Sequence, residues 1–108
     1  MYKPIFLRTE NELNKLLRKQ KKSKQGLSIL FTSLWDGPSQ DLVAKIKFRE
    51  LYNRHIDYRE PLYIVDSYTM PHAFVIFKTS KLPHYVQLKK SSVNSVDYLP
   101  HIYEALGL

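Results

Sequence analysis

Residues 27–39 read Leu-Ser-Ile-Leu-Phe-Thr-Ser-Leu-Trp-Asp-Gly-Pro-Ser. The first six residues form a compact apolar run with the length of a buried strand. A turn-forming sequence follows, and Pro38 suits the first turn of a helix, where its missing N–H costs nothing. Apolar side chains then recur to about His55. The stretch therefore predicts a buried strand, a tight loop and a helix, which is the repeating unit of an α/β protein.

The segments on either side extend this unit. Tyr2 to Leu7 is a short β-branched and aromatic stretch that suits a strand. Residues 9–12, Thr-Glu-Asn-Glu, have the pattern of a capping box, and leucines follow them at helical spacing. We therefore expect a helix from about residue 10 to about residue 21. Beyond the second helix, Leu62 to Val65 indicates another buried strand.

The C-terminal third predicts a hairpin and a last helix. Ala73–Phe77 and Tyr85–Leu88 are apolar runs separated by a polar stretch that ends in Leu82-Pro83, and they look like an antiparallel hairpin. A final apolar stripe contains Pro100, so its helix is expected to start near Asp97. The predicted order is β-α-β-α-β-β-β-α. This order indicates an α/β sandwich with a mixed sheet of roughly four to five strands and helices on both faces.

Composition sets the broad class. With 108 residues, 44% of them hydrophobic and 25% charged, the chain is expected to form a single domain over residues 1–108. No apolar run approaches the roughly 18 residues that a membrane-spanning helix requires. The N-terminal apolar patch is interrupted by Pro4 and followed by Arg8, which is not the pattern of a secretory signal. The expected location is therefore the cytoplasm.

Cysteine is absent, which excludes a disulfide, a thiolate nucleophile, an iron–sulfur cluster and cysteine-ligated zinc for this chain. His55, His84 and His101 show no metal-ligand spacing, so we expect no metal and no cofactor. Lys and Arg total 17 against 10 acids, for a formal charge of +7. This surplus favours acidic partners such as nucleic acid, but it does not by itself define a binding site.

Two motifs carry a family resemblance. Residues 35–39, Trp-Asp-Gly-Pro-Ser, resemble the thioredoxin active-site sequence Trp-Cys-Gly-Pro-Cys, with Asp36 and Ser39 in place of the two cysteines. Residues 70–78, Met-Pro-His-Ala-Phe-Val-Ile-Phe-Lys, look like that family's Met-Pro-Thr-x-x-x-x-Phe-Lys strand, whose proline is cis. The resemblance implies a thioredoxin-like fold with a cis bond before Pro71.

The order of elements also agrees with that family from Tyr2 to Leu106. Only residues 66–70 separate the third strand from Pro71, so the resemblance implies that the helix before the cis-proline is trimmed away. Thioredoxins keep a buried acid in the central strand, and the matching position here is Leu30. An isolated buried acid is costly and is kept only where it is needed, and dithiol exchange needs an attacking thiolate. The resemblance therefore indicates a redox-inactive protein that is not an enzyme.

The resemblance also implies a site for a protein partner. Thioredoxins hold partners in a shallow apolar groove between the tryptophan loop, the cis-proline loop and the turn before the last helix, where an extended peptide pairs with backbone groups. An exposed tryptophan with a methionine beside it is typical of a protein-binding hot spot. The alternative is that Trp35 packs against its own loop and that Pro71 is only a requirement of the fold. The implied partner-binding residues are Trp35, Asp36, Gly37, Pro38, Met70, Pro71 and His72.

A basic cluster is the second candidate site. No acid occurs between Leu13 and Trp35, so this corner of the molecule is strongly positive. Phosphate contacts from such a patch give salt-dependent binding without sequence preference. The alternative is a solvated helix end that keeps the protein soluble, and no aromatic residues for base stacking interleave the cluster. The candidate nucleic-acid-binding residues are Lys15, Arg18, Lys19, Lys21, Lys22 and Lys24.

A third interpretation is hydrolytic. In a thioredoxin-like fold Asp36, Ser39 and His72 are expected to lie near one another, and a Ser–His–Asp set is a known nucleophile arrangement. Against this, Ser39 is expected to begin a helix with its hydroxyl free to cap it, and Asp36 to be a polar loop residue. The hydrolytic interpretation therefore ranks behind the other two.

Overall fold

The computed structural model describes residues 4–23, 25–52, 60–79, 81–89 and 92–108. Within these ranges the chain alternates strands and helices before it ends in a hairpin and a short helix. The elements in chain order are β1 (Ile5–Phe6), α1 (Glu10–Lys22), β2 (Leu27–Thr32), α2 (Gly37–Tyr52), β3 (Leu62–Asp66), α3 (Pro71–Ile76), β4 (His84–Lys89), β5 (Ser92–Val96) and α4 (Leu99–Ala105).

The strands form one mixed sheet in the order β1-β3-β2-β4-β5. β1 and β2 run parallel to β3 on its two sides, β4 is antiparallel to β2, and β5 is antiparallel to β4. Ile29 of β2 pairs with Tyr63 on one side and with Val86 on the other. All six residues of this central strand are buried, as its continuous apolar run predicts.

Two apolar cores lie on opposite faces of the sheet. Because side chains alternate along a strand, Ile29 belongs to the core that β2 forms with α1 and α3, and Leu30 belongs to the core that it forms with α2 and α4. The predicted architecture, a mixed sheet with helices on both faces, is confirmed. Across the described ranges, no helix is long and apolar enough to cross a membrane.

The first helix begins at the predicted capping box. The Thr9 hydroxyl accepts from the Glu12 backbone N–H at 3.2 Å, and the Glu12 carboxylate accepts from the Thr9 backbone N–H at 3.1 Å. The predicted first strand starts at Tyr2 and the predicted second helix ends near His55, and both positions lie outside the described residues. Within the described residues, β1 spans Ile5–Phe6 and α2 spans Gly37–Tyr52.

The predicted strand at Ala73–Phe77 is wrong, because these residues belong to helix α3 and to the turn after it. A short apolar run is compatible with a buried strand and with a buried helix, and a proline in the first turn starts a helix readily. The helical spacing brings Phe74 and Phe77 against Phe31 of β2, with ring centroids 5.0 and 5.3 Å apart. Packing against the central strand thus selects the helix.

The hairpin partner of β4 is consequently β5 and not the segment predicted upstream. Val86 of β4 pairs with Ser95 of β5. β5 reads Ser-Val-Asn-Ser-Val, and its first four residues are exposed, so its pattern lacks the apolar alternation by which a half-buried strand is recognised. The observed order is therefore β-α-β-α-β-α-β-β-α.

The cis bond precedes Pro83 and not Pro71. Among the described residues, the cis peptide joins Leu82 to Pro83, directly before β4. Pro71 instead occupies the first turn of α3. A helix of six residues therefore precedes the cis-proline, so the helix expected to be trimmed away is present in a short form.

Candidate functional site

The loop after β2 presents the tryptophan to solvent. Trp35 is 84% exposed and Leu34 is 57% exposed. The Leu34 N–H donates to Asp66 Oδ1 at 2.8 Å, and the Trp35 N–H donates to Ser33 Oγ at 3.2 Å. Gln40 of α2 donates from Nε2 to the Ser33 carbonyl at 2.8 Å. The loop backbone is held from β3, from α2 and from within, while the indole does not pack into its own loop.

Asp36 is the N-cap of α2. Its Oδ2 accepts from the Ser39 backbone N–H at 3.0 Å and from the Ser39 hydroxyl at 2.6 Å, and its carbonyl accepts from the Gln40 N–H at 3.0 Å. Aspartate is among the preferred N-cap residues because its carboxylate satisfies N–H groups that lack a helical partner. Ser39 is completely buried. Asp36 therefore caps the helix, which was the role expected of Ser39, and Ser39 donates hydrogen bonds to Asp36.

The structure does not assemble the Ser–His–Asp set. His72 lies in the first turn of α3, where its backbone N–H donates to Glu10 Oε1 at 2.8 Å. α3 and α2 pack on opposite faces of the sheet. No hydrogen bond joins His72 to Asp36 or Ser39, all three of which are described, and a general base must reach its proton donor. The structure therefore joins Asp36 to Ser39 but shows no hydrogen bond from His72 to either of these described residues, and the hydrolytic interpretation needs one.

The predicted contribution of Met70 to the partner site is contradicted by its burial. Met70 is completely buried in the core that contains α1 and α3, and its N–H donates to the Asp66 carbonyl at 2.9 Å. Pro71 and His72 are exposed, but they open a helix and lie in no cis-proline loop. Of the predicted partner-site residues, Gly37 and Pro38 lie exposed next to Trp35, and Asp36 is half-buried. The exposed Leu34, which precedes the indole, is an addition to the predicted set.

The Leu82–Pro83 turn takes the place expected of the Met-Pro loop. Because β4 runs antiparallel to β2 and His84 pairs with Phe31, this turn lies at the end of the sheet where β2 leads into the tryptophan loop. Leu82 is half-buried and Pro83 is buried. The sequence signal for this turn is an X-Pro pair directly before a predicted strand. We name the exposed Leu34, Trp35, Gly37 and Pro38 together with the backbone at Leu82 the Trp35 surface.

An imidazole follows this turn. His84 Nδ1 is buried and has no hydrogen-bond partner, and its ring centroid lies 6.1 Å from that of Phe31. Burial lowers the pKa of His84, an effect that the Asp97 carboxylate opposes. The environment of the ring therefore favours its neutral form.

A cavity of about 140 Å³ lies beside Leu34, between β1, β3 and α2. Lys47 is among its lining residues, and its Nζ lies 4.9 Å from the centroid of the Phe6 ring. Asp66 also lines it, but its two carboxylate oxygens already accept from the backbone N–H groups of Leu34 and Tyr68. A cavity of roughly 150 Å³ holds benzene. This cavity therefore has the volume for one bulky apolar side chain, with a lysine ammonium beside it.

The basic cluster lies on α1, away from the acids of that helix. Glu10 and Glu12 stand in its first turn, where they accept from backbone N–H groups. Within the described part of the chain the ion pair is Lys89 with Glu60, at 4.0 Å, so no ion pair neutralises the helix cations. Lys24 lies outside the described residues. The exposed cations of α1 are Lys15, Arg18, Lys19, Lys21 and Lys22.

Comparison with known proteins identifies the fold. No family model matches the chain, and a search of curated proteins finds no match. Among solved structures, the reduced thioredoxin pre-protein of Schistosoma mansoni is similar with a TM-score of 0.71 and 18% identity, over 97% of this chain and 96% of that one. Thioredoxin NaTrxh of Nicotiana alata gives a TM-score of 0.74 and 14% identity, over 95% and 89%.

Thioredoxin O2 of Arabidopsis thaliana in its oxidised state gives a TM-score of 0.71 and 17% identity, over 97% of this chain and 92% of that one. At such identities the similarity establishes the fold and nothing finer. The chain is a cysteine-free protein with the thioredoxin fold. Among the residues described here, no group of three or more His, Asp or Glu side chains is arranged to hold a metal ion.

Proposed function

We propose that this chain is a redox-inactive, non-enzymatic protein that binds an extended segment of another protein across the Trp35 surface. One observation carries the proposal: an indole that is 84% exposed stands on a loop whose backbone is fixed by hydrogen bonds. Tryptophan is usually buried over most of its area and is enriched in binding hot spots. A fixed loop also loses little conformational entropy when a partner binds.

The proposal assigns no thiol–disulfide exchange to this fold. Exchange begins with attack by a thiolate, and the chain has no cysteine. Asp36 and Ser39, which stand where the resemblance implies cysteines, are hydrogen-bonded to each other in the cap of α2. Leu30, which stands where the resemblance implies a buried acid, is completely buried in the core with α2 and α4. Each of these positions therefore has a structural role in place of a redox role.

The partner segment that we propose is extended, with a bulky apolar side chain near an acidic one. The backbone at Leu82 lies beside the tryptophan loop, where a partner strand pairs by hydrogen bonds to the main chain. The cavity next to Leu34 has the volume for one apolar side chain. Lys47 lines that cavity, and its ammonium attracts a carboxylate on the partner.

Selection of short peptides from a random library on the immobilised protein tests the proposal. The Kd of each selected peptide is then measured for the native protein, for Trp35→Ala and for Val93→Ala. Val93 is a matched control because it is also an exposed apolar residue, at 65%, but lies on the edge strand β5. We expect Trp35→Ala to weaken binding about 30-fold or more, the effect of losing a hot-spot residue, and Val93→Ala to leave Kd unchanged. Selected peptides whose binding is indifferent to Trp35→Ala contradict the proposal.

A further inference from the structure

The exposed face of α1 carries a cluster of positive charges that form no ion pair with the described residues. Lys15, Arg18, Lys19, Lys21 and Lys22 are exposed, and we name them the α1 basic face. The acids of the helix stand in its first turn and are engaged with backbone N–H groups. Among the described residues no acid forms an ion pair with any of the five. The face is therefore a positive surface whose charge is not balanced by the protein.

Stability of the helix does not account for this concentration. A cation in the last turn stabilises a helix through its dipole, but the effect is confined to that turn. It applies to Lys19, Lys21 and Lys22 and does not explain Lys15 and Arg18, which lie before the last turn. Like charges three or four positions apart destabilise a helix. The face contains five such pairs, which are Lys15–Arg18, Lys15–Lys19, Arg18–Lys21, Arg18–Lys22 and Lys19–Lys22. The arrangement costs stability in the free protein, and a polyanion bound to it removes that cost.

We propose that the α1 basic face binds the phosphate backbone of duplex nucleic acid without sequence preference. From Lys15 to Lys22 the helix rises about 10 Å, and about 10 Å of duplex carries roughly six phosphates. Five cations therefore meet a comparable number of anions. Two of these cations, Arg18 and Lys21, line one open depression of about 350 Å³ together with Asn14 and Leu17.

The α1 basic face lacks the side chains that would favour single-stranded nucleic acid or a membrane surface over duplex. Binding to single strands depends on aromatic side chains that stack on bases, and the described part of α1 contains no aromatic residue. Insertion into a membrane surface requires exposed apolar side chains beside the cations. The leucines of α1 are Leu13, which is buried, and Leu16 and Leu17, which are partly buried against the core.

The α1 basic face is separate from the Trp35 surface. Glu10, at the start of α1, accepts from the backbone of His72 at the start of α3, which places the start of α1 near the carboxyl end of β3. Over its 13 residues the helix then rises about 20 Å from that end of the sheet. Lys19, Lys21 and Lys22 lie in its last turn. The two surfaces can therefore be occupied at the same time, and the two proposals fail independently.

Salt dependence of duplex binding is the test. Binding of a labelled DNA duplex of arbitrary sequence is measured from about 50 to about 200 mM salt for the native protein and three variants. If all five cations contact phosphates, the slope of log K against log salt is about −4.5 and affinity falls about 500-fold over this range. Lys19→Gln with Lys22→Gln is expected to make the slope shallower by about 2, so that affinity falls only about 40-fold.

Matched controls separate the face from net charge. Lys45→Gln with Lys47→Gln removes the same charge from α2, where these lysines lie over the rings of Tyr103 and Phe6, and is expected to leave the slope unchanged. Trp35→Ala is likewise expected to leave duplex binding unchanged. Glutamine and lysine have similar helix propensities, so both double variants are expected to fold, as circular dichroism verifies.

Three outcomes overturn the proposal. The first is that the native protein does not bind duplex at low salt. The second is that both lysine pairs change the slope equally, which indicates net charge and not a site. The third is that vesicles of phosphatidylcholine and phosphatidylserine, or single-stranded DNA, bind more tightly than duplex.

Discussion

The cap of α2 provides the sharpest test of how the site is built. Removing the Asp36 carboxylate by Asp36→Ala deletes the N-cap of a 16-residue helix, a loss that costs about 1 kcal/mol. The Ser39 hydroxyl donates to that carboxylate at 2.6 Å, so the substitution also removes the acceptor of this hydroxyl. Ser39 is completely buried, and leaving such a group unpaired costs about 1–3 kcal/mol. The expected destabilisation is therefore about 2–4 kcal/mol.

Two further variants divide this cost into its parts. Asp36→Asn keeps an oxygen that accepts from the helix N-terminus and is expected to cost less than about 1 kcal/mol. Ser39→Ala added to Asp36→Ala removes the unpaired hydroxyl, so the double variant is expected to be more stable than Asp36→Ala alone by about 1–3 kcal/mol. This ordering, in which a second truncation restores stability, is specific to a buried donor that has lost its acceptor.

Urea denaturation monitored by circular dichroism measures these differences, with thermal unfolding as a second readout. For a domain of this size, a loss of about 3 kcal/mol lowers Tm by roughly 10–20 °C. An Asp36→Ala variant within about 0.5 kcal/mol of the native protein refutes the reasoning. So does an Asp36→Asn variant as unstable as Asp36→Ala, because the carboxylate charge would then matter and the cap would not.

Two other predictions concern the packing and the pH dependence of the fold. Gly26→Ala is expected to destabilise the protein by about 1–3 kcal/mol, because the added Cβ lies 2.9 Å from the Leu88 carbonyl oxygen. Gly37→Ala is the control in the same urea series, because its Cβ meets nothing within 4 Å. Equal losses of stability in the two variants would contradict the steric explanation. Burial lowers the pKa of His84 below its ordinary 6.5, so the unfolded chain takes up that proton before the folded one does. The free energy of unfolding is therefore expected to decrease as pH falls from 6.5 towards the lower pKa of His84 in the folded protein. His84→Phe is expected to flatten this part of the stability–pH curve. An unchanged slope in the variant would show that other groups cause the pH dependence.

The sequence predicts those elements whose local and tertiary preferences agree. The capping box at Thr9 forms as expected because its hydrogen bonds lie within one turn of chain. β2 is recognised because a strand covered on both faces is apolar at every position. The sequence leaves open whether Trp35 packs against its own loop, and the structure shows the indole exposed on a loop that Asp66 anchors.

The failures arise where a contact distant in sequence decides between two local structures. The run Ala73–Phe77 is apolar in either conformation, and its packing against Phe31 makes it helical. β5 is an exposed edge strand that pairs with β4 through its backbone, which leaves no apolar pattern to read. Residue types alone do not distinguish the peptide before Pro71 from the peptide before Pro83. The tryptophan loop is exposed, as the partner-site prediction requires, and the cis-proline is Pro83, but partner binding itself stays a prediction.

Fluorescence of Trp35 tests the central proposal most directly, because it is the one tryptophan of the chain and its emission reports on that position alone. In the free protein we expect the emission of a water-exposed indole, quenched freely by acrylamide. When a library-selected peptide that carries its own label is added, the emission should move to shorter wavelength and become protected from acrylamide, with the midpoint equal to the Kd from the label. A peptide that binds while emission and quenching stay unchanged contradicts the proposed contact.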